Sequence, residues 1–314
     1  MHLSIIIATC NRAAFLKTVL SCLKDQLKDC PEDKNMEVMI VDNRSVDITR
    51  EVVREFIEQD KRFKYLYESQ KGKTHALNSG ISRTSGEFIA FLDDDVLLEK
   101  PWLGQVFYSM ENYQFDAMGG RIIPEYPRET PRWVQENAGL LTGPIVRHDH
   151  GDVVEEYNET MDAFWGANIL LRREALMSVG LFNTKLGPGL GTYGEDTDLY
   201  DRLKQKGKKV IYNGRLLIKH PVEKERMSLA YFAKWKIQAG RYYAQMDLSR
   251  DLKLKTIGGV PRYLFPRLAR GLVSMAGSIF QRASLLKSMS RFFISLGMTQ
   301  GYYQARSIRG SQHA

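Results

Sequence analysis

Only three cysteines occur in 314 residues, Cys10, Cys22 and Cys30, and no two of them form a CxxC pair. An odd set without that spacing gives neither a disulfide framework nor a zinc site, and it points to reduced thiols in a reducing compartment. Long apolar runs are missing as well. The N-terminal MHLSIIIATCNR is short and lacks the basic leader and cleavage pattern of a signal peptide, so it reads as a first strand. In the basic C-terminal stretch up to about Phe293 the longest uncharged run, Gly271 to Gln281, has 11 residues, whereas a spanning helix needs roughly 20. Negative charge is missing from one region: beyond Asp251 there is no Asp or Glu, against ten Lys and Arg. The other 35 bases nearly balance 37 acids, so the net charge of +8 belongs to the C-terminal segment.

What is present is globular. A composition of 43% hydrophobic and 26% charged residues supports one large domain or two ordinary ones. Short β-branched runs, LSIIIA (3–8), EVMIVD (37–42), FKYLYE (63–68) and FIAFLD (88–93), alternate with helical patterns. The first helical stripe is Phe15, Val19, Cys22, Leu23 and Leu27, and the second runs through Val52, Val53, Phe56 and Ile57 behind Ser45 or Asp47 as a cap. HALNSGIS (75–82) reads as a short helix. The βαβαβαβ order predicts an α/β fold with a mostly parallel sheet and helices on both faces. Such sheets bind ligands at the carboxyl ends of their strands, which here read Ala8-Thr9, Val41-Asp42-Asn43 and Asp93-Asp94-Asp95. Further along, AMGGRII is a strand candidate and residues 124–160 look like a long surface excursion. AFWGANILLRREAL runs from strand to helix, and KKVIY and RLLIKH are strand patterns. A Gly-rich loop, LGPGLGTYGEDTD, precedes a helix through Leu199 and Leu203.

The stretch FIAFLDDDV (88–96) drives an apolar strand into three carboxylates. Alternate residues of an extended segment share a side, so Asp93 and Asp95 pair while Asp94 faces away. A hard cation such as Mg²⁺ or Mn²⁺ takes a few carboxylate oxygens and completes its shell with water and substrate phosphates. A solvated acidic turn is the plain alternative. Haloacid-dehalogenase-like phosphatases also place four apolar residues before DxD[T/V], with Asp93 as nucleophile and Asp95 as acid. Against that reading, their nucleophile ends the first strand of the fold, and about three strands precede this one.

SIIIATCNR, IVDNRSVD, GKTHALNSGISRTSGEFIAFLDDDV, FWGANILLRREAL and GEDTDLYDRLKQKG, in this order over residues 3–225, resemble the family 2 glycosyltransferases of the GT-A fold. VDNRSVD departs from the commoner VDDGSTD, with Asn43 for the second Asp and Arg44 for Gly. The resemblance implies a domain over 1–227, divided into a nucleotide-binding half (1–123) and an acceptor-side half (124–227), followed by a basic, mostly helical region (228–314). It implies that Thr9, Arg12, Asp42, Lys73, Asn78 and Asp94 border a nucleotide-sugar, UDP-linked, and that Asp93 and Asp95 hold Mn²⁺ or Mg²⁺ with His220. Asp196 becomes the base for an inverting displacement, with Glu195 beside it. Trp165, Gly166, Ala167 and Asn168 line the sugar and acceptor side, and Arg226 folds over the diphosphate. A degenerate, non-catalytic donor-binding protein is a further reading.

Two motifs are set aside. GLGTYG (189–194) matches GxGxxG but lacks a preceding strand, so its glycines read as loop mobility. QAGRY (238–242) resembles the QxxRW of processive synthases with Tyr242 for Trp, which suggests single-sugar addition. The basic C-terminal helices suit either an anionic membrane surface or packing on the body. The expected partners are therefore the donor, a glycan or lipid-linked acceptor and such a surface, in a cytoplasmic or peripheral membrane setting. No nucleic-acid module is recognised.

Overall fold

The computed structural model describes residues 2–30, 35–158, 161–190, 193–249 and 254–311. In chain order it runs β1 (His2–Thr9), α1 (Ala13–Lys28), β2 (Asn35–Asp42), α2 (Thr49–Gln59), β3 (Phe63–Tyr67), α3 (Lys73–Ser82), β4 (Phe88–Leu92), β5 (Leu97–Leu98), α4 (Trp102–Asn112), β6 (Ala117–Glu125), α5 (Arg132–Glu136), β7 (Val154–Glu156), β8 (Asn168–Arg172), α6 (Arg173–Val179), α7 (Glu195–Gln205) and β9 (Val210–Pro221). Then follow α8 (Leu229–Ser249), a small hairpin of β10 (Thr256–Ile257) and β11 (Val260–Pro261), α9 (Leu264–Gly277) and α10 (Arg282–Ser311).

The sheet has the order β3-β2-β1-β4-β8-β6-β9-β5, with β7 also paired to β9. Strands β3, β2, β1 and β4 are mutually parallel, while β8 runs antiparallel to both β4 and β6. Strand β2 follows β1 on one side and β4 lies on the other, so the order reverses at β1. That reversal opens a crevice at the carboxyl ends of β1 and β4. Register keeps those ends level: Thr9 pairs with Asp42, and Ile7 with both Ile40 and Leu92.

The continuous apolar runs of β1, β2 and β4 follow from burial on both faces. Leu3, Ile5 and Ile7 meet Leu16, Val19, Leu20 and Leu23 of α1 on one face. Ile6, Ile89 and Phe91 meet Ala76, Leu77 and Ile81 of α3 and Leu199 and Leu203 of α7 on the other. The buried stripe of α1 thus includes Leu16 and Leu20, and Phe15, expected inside, is exposed. Its ring instead lies under the Arg12 guanidinium, 5.4 Å away.

Two expectations change. KKVIY and RLLIKH are one strand, β9, which stays paired to β6 across a register shift at Gly120/Arg121. Asn213 holds that irregular stretch by donating to Ser109 Oγ (3.0 Å) and accepting from the Arg215 N–H (3.0 Å). Residues 124–160 are not a surface excursion either, because they bury side chains in two places. Val134, Leu141 and Ile145 join Val222, Phe232 and Leu286 in a separate core, and His148 and Tyr157 are buried beside the sheet.

The chain divides into two compact units. One holds the sheet and comprises Met1–Glu125, Val146–Gly191 and Glu195–Pro221. The other takes in Tyr126–Ile145 and the chain from Val222 on, so 126–145 and 222–227, assigned by sequence to the first domain, belong with the C-terminal helices. In the second unit α8 and α10 cross closely at two glycines. A Cβ on Gly240 would come within 2.1 Å of the Ile294 carbonyl oxygen, and one on Gly297 within 2.0 Å of that of Ile237. Among the described residues no helix is long and apolar enough to cross a membrane.

His148 bridges Ile122 through its backbone and shares a 2.7 Å hydrogen bond with the Tyr157 hydroxyl through Nε2. Burial first, and the neighbouring His150 second, push its pKa down to about 3. An unfolded histidine titrates near 6.5, so between those values the unfolded chain binds the extra proton and stability falls as pH falls. We expect the urea midpoint to drop as pH is lowered through this window, and His148→Gln to flatten that dependence. Parallel pH profiles for the two proteins would refute the assignment.

Candidate active site

The site is assembled by the loops that leave β1, β2 and β4. The first two are stitched together: the Asn11 N–H donates to Ser45 Oγ (2.9 Å) and the Val46 N–H to Asn11 Oδ1 (2.7 Å). Asp47 serves both following helices, accepting from the Thr49 N–H at 3.1 Å and from the Ala13 N–H at 3.1 Å. Negative charge at two helix N-termini is stabilising, and it fixes where Arg12, at the start of α1, points.

Arg12 reaches across to the triple Asp. Its Nη1 bonds Asp95 Oδ2 and lies 3.3 Å from Asp94 Oδ1. On the other side of Asp95, Oδ1 lies 3.3 Å from His220 Nε2. Burial disfavours charge on Asp95, yet His220 and Arg12 outweigh it and hold the carboxyl well below the usual carboxylate range. Burial and then the charge of Asp95 push Asp94 up to about 6.

His220 Nδ1 is 3.0 Å from the Pro221 carbonyl oxygen. A carbonyl only accepts, so Nδ1 carries the hydrogen, and in the neutral ring Nε2 is a bare lone pair. That lone pair faces a carboxylate oxygen in a buried setting, and two acceptors at such a distance need a cation between them, a proton or a metal ion. Asp93, Asp95 and His220 each offer a ligand atom, and these atoms lie within 4.8 Å of one another. Two carboxylates and one imidazole suit Mn²⁺ or Mg²⁺, ions that complete their shells with phosphate oxygens and water. The backbone acceptor for Nδ1–H is the partner that metal-bound histidines usually have.

Lys73, at the start of α3, bonds Asp93 and lies 4.0 Å from Glu195 Oε1. Burial works against its charge, but Asp93 and Glu195 outweigh burial and keep the ammonium protonated well above its ordinary range. Glu195 is buried, and burial followed by the charge of Asp196 pushes it up to about 7. Asp196 accepts from the Gly166 N–H (3.0 Å) and from the Thr197 N–H (2.8 Å). A Cβ at Gly166 would sit 3.7 Å from both Asp196 Oδ2 and Lys73 Nζ, so these two groups flank the same glycine.

Asp42 accepts from Tyr65 Oη (2.8 Å) and from the Ser45 N–H (2.8 Å), which fixes its carboxylate while leaving lone pairs for a further donor. Asn43 explains its departure from the commoner motif. Its amide nitrogen donates to the carbonyls of Glu68 (3.3 Å) and Gln70 (2.6 Å), and its Oδ1 accepts from the Gly72 N–H (2.8 Å). An Asp cannot make the first two bonds. Arg44 keeps the left-handed backbone, at φ 68°, that glycine would adopt freely.

Several sequence-predicted residues play other parts. Asn168 is buried, with Oδ1 accepting from Trp102 Nε1 (3.1 Å) and Nδ2 donating to the Leu216 (2.7 Å) and Arg121 (3.2 Å) carbonyls. Its amide is consumed by the core and lines no sugar pocket. Ala167 is buried in the same core, whereas Trp165 is half-buried against it. Asn78 pairs through its amide with the backbone of Phe182, at 2.9 and 3.0 Å. With Thr74 donating to the Leu186 carbonyl (3.0 Å) and the Lys73 N–H to that of Pro188 (3.1 Å), it pins the approach to α7. The described part of the Gly-rich loop, up to Leu190, is therefore held rather than loose, and Gly191 and Thr192 lie outside the described residues. Asp198 orients Arg202 (2.9 Å), which closes α6 by donating to the carbonyls of Val179, Gly180 and Leu181. Thr9 is buried at the end of β1. Arg226 sits in the second unit, 3.7 Å from Glu223. Missed in the sequence were Tyr65, the Gly166 N–H and the bracketing by Asn43. Each acts across strands or loops distant along the chain.

A parallel-centred mixed sheet with an acidic, metal-competent crevice at its switch point defines a GT-A glycosyltransferase. The profile of glycosyl transferase family 2 matches residues 4–180, and the chain belongs to that family. It is 26% identical over 249 residues to the succinoglycan biosynthesis protein ExoM of Rhizobium meliloti, covering 78% of this chain and 75% of that protein. It is 24% identical over 215 residues to the glucosyl-dolichyl phosphate glucuronosyltransferase of Haloferax volcanii, covering 67% of each. Among solved structures, the mannosyltransferase PcManGT from Pyrobaculum calidifontis, in complex with GDP-Man and Mn²⁺, superposes with a TM-score of 0.62 at 18% identity, over 96% of this chain and 87% of that one. Since Asp93 ends the fourth strand of such a fold, the phosphatase reading falls.

The bracketing by Asn43 generates a test. Asn43→Asp removes two donors and sets a carboxylate against two carbonyls, and leaving such groups unsatisfied costs about 1–3 kcal/mol. Urea denaturation should show a loss of that order; an unchanged midpoint would mean that the 68–72 loop does not depend on this side chain.

Proposed function

We propose that this chain transfers a single sugar, with inversion at the anomeric carbon, from a UDP-linked donor to a glycan or lipid-linked acceptor at the cytoplasmic face of a membrane. The observation that carries the reading is the Asp93–Asp95–His220 cluster in the crevice, next to a second acidic pair on α7. The names of the relatives, one for succinoglycan biosynthesis and one acting on glucosyl-dolichyl phosphate, support such acceptors.

When bound at Asp93, Asp95 and His220, the metal supplies positive charge that stabilises the departing diphosphate. The rest of the work falls to the chain. Asp42, oriented by Tyr65 and Ser45, accepts from a nucleobase N–H. Asp196, held by the Gly166 and Thr197 amides, takes the proton of the acceptor hydroxyl as its oxygen bonds to the anomeric carbon. The bond from that carbon to the diphosphate breaks, and its electron pair leaves with the nucleotide. Lys73 balances Asp93 and Glu195, and Arg12 balances Asp94 and Asp95, so the crevice is not left with uncompensated charge. Trp165 and Gly166 border the sugar.

Calorimetric titration tests the donor site. UDP should bind in the presence of Mn²⁺ and lose roughly tenfold or more in affinity without it or in Asp95→Asn, with GDP and CDP weaker; each tenfold is 1.4 kcal/mol. Tighter binding of GDP would overturn the UDP assignment, and binding indifferent to both metal and Asp95 would overturn the site. Asp196→Asn should lower kcat by about 10²–10⁴ while leaving donor binding intact, the usual worth of a general base. A full rate in that variant would move the base to another residue, with Glu195→Gln as the comparison.

A further inference from the structure

Helix α9 has three faces where a surface helix ordinarily has two. At about 3.6 residues per turn, Leu264, Leu268, Gly271 and Met275 fall together and turn inward, with Gly271 against Phe292 of α10. Arg267, Arg270 and Ser274 form a polar face. Between them, Phe265, Ala269, Leu272, Val273 and Ala276 are all exposed, Leu272 at 54% and Val273 at 74%. The turn that follows adds Ile279 at 61% and Phe280 at 100% exposure.

The outward side of a solvated helix is expected to be polar, and a contiguous exposed apolar face marks an interaction surface. Charge selects the occupant. Residues 252–314 contain no Asp or Glu and ten Lys and Arg, so a partner that is both apolar and anionic is complementary. A second copy of the same face would bring arginine against arginine in a two-fold contact. An apolar face with arginines on the neighbouring polar face has the composition of a helix lying in a lipid interface, and anionic headgroups attract such basic residues.

We infer that α9 and the 278–281 turn form an anchor for an anionic leaflet. Phe265, Leu272, Val273, Ile279 and Phe280 enter the headgroup–acyl boundary, and Arg267 and Arg270 engage lipid phosphates. This deepens the membrane-face activity proposed above and rests on that reading.

The test is co-sedimentation of the full chain with vesicles of phosphatidylcholine alone or enriched in phosphatidylglycerol. Wild type should pellet with the phosphatidylglycerol vesicles and much less with phosphatidylcholine. Val273→Ser/Phe280→Ser, at exposed positions, should lose roughly tenfold or more in affinity by forgoing apolar burial. Arg267→Gln/Arg270→Gln should lose about fivefold per arginine. Phe280→Trp, read as a difference from wild type, should show a blue-shifted emission with phosphatidylglycerol vesicles. Unchanged pelleting of the Val273/Phe280 variant, no pelleting of wild type, or a vesicle-independent dimer dissolved by Phe280→Ser would each overturn the anchor. UDP titration of the same samples separates the failures: nucleotide binding with no vesicle binding sinks the anchor alone, and the converse sinks the donor site alone.

Discussion

Three consecutive carboxylates at the end of a buried strand are the constraint around which the sheet unit is built. Asp94 and Asp95 are buried and Asp93 is partly so, and an uncompensated buried charge is strongly destabilising. Each neighbouring loop answers that cost. The loop after β1 delivers Arg12, the start of α3 delivers Lys73, and the end of β9 delivers His220. Asn43, Asp47 and Asn78, which touch none of the carboxylates, hold the segments carrying those groups. The result is a charge cluster balanced well enough to persist and acidic enough to receive a divalent cation.

The same arrangement separates two kinds of carboxylate. Asp95 is held ionised by His220 and Arg12, as a metal ligand must be. Glu195, buried beside Asp196, is pushed toward neutral pH and relies on Lys73 for what charge it carries. Asp196 accepts from two backbone amides, which fix its carboxylate in place. Neighbouring acids in one sequence motif therefore acquire different roles from their surroundings rather than from their identity.

Much of this was readable in the sequence, for physical reasons. Continuous apolar runs such as SIIIA and FIAFL specify strands buried on both faces, and their ends place Asp42 and Asp93 at the same edge. What could not be read depends on contacts between distant segments. The amide of Asn168 is spent on Trp102, Arg121 and Leu216, and nothing in FWGAN shows that. Phe15 and Leu16 are both apolar, and the packing of α1 on β1 decides that Leu16 is the buried one. Residues 124–160 read as a long surface excursion, but Val134, Leu141 and Ile145 within them join a core with Val222, Phe232 and Leu286.

The central claim is that His220 and the DxD carboxylates hold the metal together, and pulsed electron paramagnetic resonance of the Mn²⁺-loaded protein tests it most directly. The account predicts a nitrogen coupling from a directly bound imidazole, present in the wild type and absent in His220→Gln. Mn²⁺ bound with an oxygen-only signature, the same in both proteins, would contradict it and return His220 to the role of a protonated partner for Asp95.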